Sequence, residues 1–256
     1  MRRESDVANL RFAAPKEQRL AVVTGGASGI GAACALRLAE AGRDIVIADL
    51  DERGAEIAAQ LEALNQRGRF IRTDVTSEAE VQSMVTQAVE TFGRLDILVC
   101  CAGVLGLEAP FHEQSLAQFD RVMKINIYGV YICHQAAIPP MLARGWGRCV
   151  TITSGARHAA TNQVPYGVSK GAVYSFIGAL GNAYPRQGVF VNGVEPGRAL
   201  TPMVVPRFSA EHLANPGTPI GRYSDPEEVA EVVEFLCSER NTYTTGSVWS
   251  VKGGSG

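Results

Sequence analysis

The sequence lacks the features that would direct it to a membrane, a nucleic acid or a metal. None of its apolar runs approaches the ~18 residues of a membrane-spanning helix. Met1-Arg2-Arg3 leads into Glu4-Ser5-Asp6 rather than into the hydrophobic core of a secretion signal, so a cytoplasmic location is expected. Neither sign of charge dominates: 24 Lys and Arg against 26 Asp and Glu leave a net charge of −2. The basic residues are scattered, which argues against nucleic acid and against a membrane surface as partner. Cysteine and histidine number only six and four, and none stands at zinc-ligand spacing; the Cys133-His134 pair has no second pair to complete a site. No metal is expected. Cys34, Cys100, Cys101, Cys133, Cys149 and Cys237 mostly lie in apolar surroundings and suit buried thiols in a reducing compartment.

What remains is an ordinary apolar fraction, 46% of 256 residues, with 20% charged. That is enough for a substantial core, and α/β chains of this length often form one domain. Residues 1–18 are polar and aperiodic, with Leu10 and Phe12 as their sizeable apolar anchors, and read as an extension ahead of a domain spanning 19–256. From Arg19 the pattern becomes regular. Leu20-Ala21-Val22-Val23 is a short strand breaking into Thr24-Gly25-Gly26-Ala27-Ser28-Gly29-Ile30-Gly31, and an Ala/Leu-rich helix follows to Ala41. A strand, a glycine-rich turn and a helix together aim backbone N–H groups and a helix N-terminus at phosphate. Ile45-Val46-Ile47-Ala48 is a second strand ending in Asp49, about 20 residues past the loop, where a dinucleotide fold binds the adenosine ribose. Asp49 or Asp51 can equally cap a helix over 51–67.

Further strands are expected at Phe70–Val75, Leu95–Cys100, Arg148–Thr153, Val189–Val194 and Ser247–Val251. Helices are expected from Ser77 to Phe92, from Leu116 to Ala143 with a bend or break at Pro139-Pro140, around Tyr166 and Lys170, and after Asp225. Strands alternating with helices imply an α/β Rossmann fold: a seven-stranded parallel sheet with helices on both faces. The ligand site then lies outside the carboxyl ends of the strands. The glycine loop, Asp49, Asp74, Gly103, Ser154 and Pro196-Gly197 all fall there.

Tyr166 and Lys170, four apart, share one helix face with Cβ atoms roughly 5–6 Å apart. A neighbouring ammonium favours phenolate, so the Tyr166 pKa is expected to fall, which makes it a proton donor and acceptor. Taken alone, the pair has a bland reading, since Tyr and Lys at this spacing occur in many helices.

Together these landmarks resemble the short-chain dehydrogenase/reductase family over roughly residues 19 to 254. The coenzyme loop corresponds to Thr24-Gly25 with Gly29-Ile30-Gly31, and the catalytic motif to Tyr166 and Lys170. Ser154, twelve residues before Tyr166, matches the family's serine, and Asn126 its asparagine. The resemblance implies that Tyr166 exchanges a proton with the substrate oxygen and Ser154 bonds that oxygen. It also implies that Lys170 tunes the tyrosine and holds the nicotinamide ribose, and that Asn126 positions a water linking Lys170 to solvent. Cofactor contacts are implied at Gly25, Ser28, Gly29, Ile30, Asp49, Asp74, Val75, Ala102, Gly103, Tyr166, Lys170, Pro196, Gly197, Ala199 and Thr201. The cofactor expected is NAD, because the Asp49 carboxylate stands where the 2′-phosphate of NADP would sit. Ser28 occupies a loop position that is often basic in NADP-using relatives, and Arg53 is placed on the following helix. A homodimer or homotetramer is implied, through helices at about 110–143 and 163–184. Two departures stand out: Cys101 replaces the asparagine of Asn-Ala-Gly, and Lys252 the acidic residue of Val-Asp-Gly-Gly. Cys101 is read as a buried core residue.

The expected function is NAD-dependent interconversion of a secondary alcohol and a ketone. A catalytically silent NAD-binding regulator or scaffold is the alternative from another class, and a sugar-nucleotide epimerase or dehydratase is a third. The intact set Asn126, Ser154, Tyr166 and Lys170 favours the first. Arg157, His158, Arg198 and Arg207 fall in segments expected to wall the substrate pocket, so an anionic substrate is one reading. The other is that these groups face water or pair with carboxylates such as Glu195 and Glu211.

Overall fold

The computed structural model describes residues 17–157, 161–214 and 217–255. The extension expected at 1–18 therefore lies almost wholly outside the described residues, as does His158. Seven strands are present among those described: β1 (Arg19–Thr24), β2 (Arg43–Asp49), β3 (Gly68–Arg72), β4 (Ile97–Cys100), β5 (Gly147–Ile152), β6 (Val189–Pro196) and β7 (Val248–Val251). They form one sheet in the order β3-β2-β1-β4-β5-β6-β7, and every pairing is parallel. The chain builds outward from β1 to β3 and then crosses to β4. The crevice at the carboxyl ends of β1 and β4 is thus the topological switch point.

Both faces of the central strands are apolar, and this is what calls for two helical layers. Along β1, Leu20 and Val22 pack into one core while Ala21 and Val23 pack into the other. Helices α1 (Gly29–Glu40) and α2 (Gly54–Gln60), with α8 (Pro226–Cys237), serve the second of these. Helices α3 (Glu78–Phe92), α5 (Gly129–Arg144) and α6 (Val164–Gly181) serve the first, α4 (Leu116–Met123) packs against α6, and a short α7 (Ala210–Ala214) lies in the Pro/Gly-punctuated segment before α8.

Three local expectations are corrected. The helix after β2 is shorter than 51–67: α2 begins at Gly54, passes into a 3₁₀ turn at Leu61–Leu64 and stops at Asn65, whose φ of 57° is left-handed. Neither Asp49 nor Asp51 caps it; Asp51 instead accepts from the N–H of Arg53 at 3.0 Å, a local turn that delays the helix. Pro139 and Pro140 do not break α5, which runs through both. Pro139 and Gln135, whose carbonyl loses its partner, are both exposed, and Pro140 and Ala136, the second such pair, are half-buried, so both freed carbonyls lie towards solvent while Ile138 and Met141 stay buried. The interruption comes earlier, as a π-helical turn at Lys124–Tyr128 between α4 and α5. Finally, β3 ends at Arg72, leaving Thr73, Asp74 and Val75 in the loop above the sheet.

Candidate active site

A cleft of about 1040 Å³ opens above the carboxyl ends of the strands. Its floor on the β1 side is the glycine loop. Gly25 has φ +66°, and a Cβ there would lie 2.6 Å from the backbone N of Ala102, so only glycine lets β1 and the segment after β4 approach so closely. A Cβ on Gly31 would meet the carbonyl oxygen of Gly25 at 2.0 Å, which locks the first turn of α1 down on the loop. Ser28 is the N-cap of α1 but makes no side-chain capping bond. The first-turn N–H groups, which have no partner within the helix, are thus not taken by that hydroxyl, and they adjoin the cleft. A cradle that a single methyl group would fill, at a helix N-terminus, fits a pyrophosphate.

Asp49 ends β2 at the same cleft. Its Oδ2 accepts from the N–H of Ala27 at 3.0 Å and its Oδ1 from that of Asp51 at 3.1 Å, so the carboxylate is fixed by backbone rather than by a cation. Arg53 is drawn aside: its guanidinium bonds Asp51 through Nε at 2.9 Å. The Arg53 contact holds the Asp51 carboxyl at about 2. Beyond β3, Asp74 accepts from the N–H of Thr76 at 2.8 Å and, with Val75, lines the cleft next to Leu50.

The opposite wall comes from the turn after β5 and from α6. Ser154, Tyr166 and Lys170 all line the cleft. Lys170 is almost fully buried and donates from Nζ to the carbonyl of Ile152 at 2.8 Å, with Nζ 5.6 Å from the centre of the Tyr166 ring. Burial lowers its pKa to about 8. The expected fall in the Tyr166 pKa is not found. Burial raises it above the ordinary value, and a hydrogen bond with Ser154 works against that rise. The lysine helix position is correct, but its ammonium points past the ring to the β5 carbonyl.

Asn126 is fully buried and sits in the π turn. Its Oδ1 accepts from the N–H of Val104 at 2.8 Å, and its Nδ2 donates to the Val104 carbonyl at 2.9 Å and to Ser169 Oγ at 3.0 Å. Both amide hydrogens are used, leaving one Oδ1 lone pair as the side chain's means of holding a water. What the side chain does is join the segment after β4 to α6. The π turn is the irregularity that aims it there, a common place for such turns.

Of the residues expected at the site, Gly25, Ser28, Gly29, Ile30, Asp49, Asp74, Val75, Ala102 and Gly103 line the cleft together with Ser154, Tyr166, Lys170, Pro196, Gly197, Ala199 and Thr201. Asn126 stands behind the wall. Cys101 was expected to be buried; it packs against the core but is half-buried and forms part of the cleft wall. Arg121 and Lys124 also line the cleft, and nothing in their spacing marks them as site residues beyond their nearness to Asn126. Among the described residues no group of three or more His, Cys, Asp or Glu is placed to hold a metal ion, and no helix is long and apolar enough to cross a membrane.

A family model described as enoyl-(acyl carrier protein) reductase matches residues 25–255. The chain is 40% identical over 241 residues to cis-4-hydroxycyclohexanecarboxylate dehydrogenase of Sinomonas cyclohexanicum, covering 93% of this chain and 96% of that protein. The chain belongs to the short-chain dehydrogenase/reductase family. It is therefore an oxidoreductase. It is also 32% identical over 247 residues to the 2-dehydro-3-deoxy-L-rhamnonate dehydrogenase (NAD(+)) of Sphingomonas sp. strain SKA58, with 95% and 97% of the two chains covered. Among solved structures it is similar to 3-ketoacyl-(acyl-carrier-protein) reductase from Brucella melitensis complexed with NADH, with a TM-score of 0.87, 29% identity, and 93% and 98% coverage.

Proposed function

We propose that the protein is an NAD-dependent oxidoreductase interconverting a secondary alcohol and a ketone, with Tyr166 as the group that moves the proton. The observation that carries this reading is the convergence of Ser154, Tyr166 and Lys170 on one wall of the cleft whose other wall is the glycine loop. Gly25, Ser28, Gly29 and Ile30 would hold the pyrophosphate, Asp49 the adenosine ribose, Asp74 and Val75 the adenine. Ala102, Gly103, Lys170, Pro196, Gly197, Ala199 and Thr201 would hold the nicotinamide half. When bound, the nicotinamide supplies or accepts the hydride. Tyr166 Oη donates a proton to the carbonyl oxygen in reduction and takes it back in oxidation. Ser154 Oγ donates a hydrogen bond to the same oxygen, where negative charge develops. Lys170 keeps a positive charge beneath the pair, and Asn126 keeps the segment after β4 in register with α6.

NAD is preferred over NADP because the backbone-fixed Asp49 carboxylate would meet a 2′-phosphate, while Arg53 is already engaged by Asp51. The substrate carries a carboxylate. Arg157 is a poor anchor for it, since its side chain does not line the cleft and its Nε is engaged by Glu195. Arg207 can: it lines the cleft, its bond to the Gly106 carbonyl is long at 3.4 Å, and Glu108 stands 3.9 Å away. The hydroxy acid named for the Sinomonas relative is of this class. The working form is a cytoplasmic homodimer or homotetramer built from one Rossmann domain per chain, and the exposed Tyr128, Tyr131, Val168 and Tyr174 on the expected helices support that assembly. A screen of hydroxy acids and their neutral esters with NAD and NADP tests the reading. Equal rates on acid and ester, with Arg207→Ala unchanged in KM, would remove the anionic substrate.

A further inference from the structure

A buried ion triad stands at the catalytic end of the sheet and takes no part in the chemistry above. Glu195, on β6, is wholly buried. Its Oε2 is held by Arg157 Nε at 2.5 Å and its Oε1 by Lys252 Nζ at 2.8 Å. Burial pushes the Glu195 carboxyl up, but the bonds from Lys252 and Arg157 outweigh it and keep the group ionised, below the usual carboxylate range. Taking such charges out of water costs several kcal/mol per ion, so an apolar cluster would hold these strands together at less cost.

The triad joins three segments that bear on the site. Arg157 closes the turn that begins at Ser154: its N–H donates to the Ser154 carbonyl at 3.2 Å, and the N–H of Ala156 donates to Ser154 Oγ at 3.2 Å. The Arg157 guanidinium also lies 4.1 Å from the centre of the Tyr174 ring on α6. Glu195 immediately precedes Pro196 and Gly197. Lys252 follows β7, and its Cα would stand 2.9 Å from a Cβ on Gly197, whose N–H donates to Val251 O at 2.8 Å. Gly155, next to Ser154, faces the triad: a Cβ there would be 3.8 Å from Lys252 Cδ and 4.0 Å from Glu195 Oε1.

We propose that Glu195 and Lys252 are positioning residues that, through Arg157, clamp the turn at 154–157 against β6 and β7 and so set where the Ser154 hydroxyl stands relative to Tyr166. The role rests on the reading of Ser154 and Tyr166 as the proton-transfer pair. It also gives Lys252 a partner of its own.

The test reads the Tyr166 pKa directly, as the phenolate absorbance difference between each protein and its Tyr166→Phe counterpart. Tyr166 is faced by Lys170 from its own helix and by Ser154 from the turn after β5; burial raises its pKa and Ser154 opposes the rise. Displacing Ser154 therefore moves Tyr166 further up. Lys252→Met, which unties the Glu195–Arg157 pair from the end of β7 and so lets the turn at 154–157 shift, is expected to raise the Tyr166 pKa by about one unit and to lower kcat for alcohol oxidation about tenfold at neutral pH. The dissociation constant for NADH should stay within about twofold, and Lys252→Arg should restore both readings. An unchanged titration and unchanged kcat in Lys252→Met, even with a lower melting temperature, would reduce the triad to a brace and overturn the proposal. If Lys252→Met does not fold, Arg157→Met removes the clamp from the serine side and is read in the same way. Absence of NAD-linked turnover in the wild type would count against the function, while the titration would still decide the positioning.

Discussion

Tyr166 enters the cleft with its phenol held above the ordinary pKa by burial, so in the cofactor-free protein it is protonated at neutral pH. Oxidation needs the deprotonated form and reduction the protonated one, so the oxidation rate should climb with pH into the alkaline range while reduction favours neutral pH. Tyr166→Phe should abolish turnover and leave the NADH dissociation constant within about threefold, since only the proton-carrying oxygen is lost; calorimetry and initial rates check this. Lys170 carries a stability cost as well as a role. Burial lowers its pKa to about 8, below the ~10.4 of an unfolded chain. Between those values the unfolded chain binds more protons, so this group's contribution to stability is present at the top of that window and is lost as pH falls through about 8. Lys170→Met should accordingly be more stable than wild type by about 1–3 kcal/mol at neutral pH, with the gain fading towards pH ~10. Thermal melts of the cofactor-free proteins across that range decide it, and a variant less stable at neutral pH would contradict the account.

At the scale of elements, the π turn at Lys124–Tyr128 and the turn at 154–157 do the positioning. Asn126→Ala would remove two hydrogen bonds to the half-buried backbone of Val104 and a buried one to Ser169, a loss of about 2–4 kcal/mol that chemical denaturation should show alongside reduced activity. These are also the places where the sequence was least informative. Apolar runs flanked by glycine and charge are enough to locate strands, and all seven expected ones are present with ends shifted by a few residues. Spacing along the chain likewise located the glycine loop and the Tyr166–Lys170 pair, and the family resemblance added Ser154. A π turn has no composition of its own, so a bend or break was expected at Pro139-Pro140, through which the helix in fact continues. The direction of the Tyr166 shift was missed for a similar reason: helical spacing sets which residues are neighbours, but burial and the Ile152 carbonyl decide where the ammonium points. The Arg157–Glu195–Lys252 cluster joins positions nearly 100 residues apart, which only the parallel sheet brings together.

Over the whole molecule, buried charge is concentrated at the two ends of the sheet. At the end away from the cleft, fully buried Asp96 accepts from the N–H of Leu20 at 2.9 Å and pairs with Arg94 and Arg19. Among the described residues, Asp96→Ala would leave Arg19 only Glu239 and Arg94 only Glu17 as carboxylate partners and would strip the Leu20 N–H of its acceptor, which should cost about 2–4 kcal/mol of stability, with NADH affinity unchanged in whatever fraction stays folded. The helices α5 and α6 present exposed tyrosines, and light scattering should give a dimer or tetramer mass; a monomer mass would refute the assembly. The central claim is that the cleft between the glycine loop and Tyr166 transfers hydride between NAD and a hydroxy acid. The most direct test follows the near-ultraviolet absorbance of reduced nicotinamide while purified protein is mixed with NAD, or with NADP, and a cyclic hydroxycarboxylic acid. The account predicts turnover with NAD, at least about tenfold weaker kcat/KM with NADP, and none in Tyr166→Phe. Turnover retained by Tyr166→Phe, or none by the wild type with either cofactor across hydroxy acids and neutral alcohols alike, would contradict it.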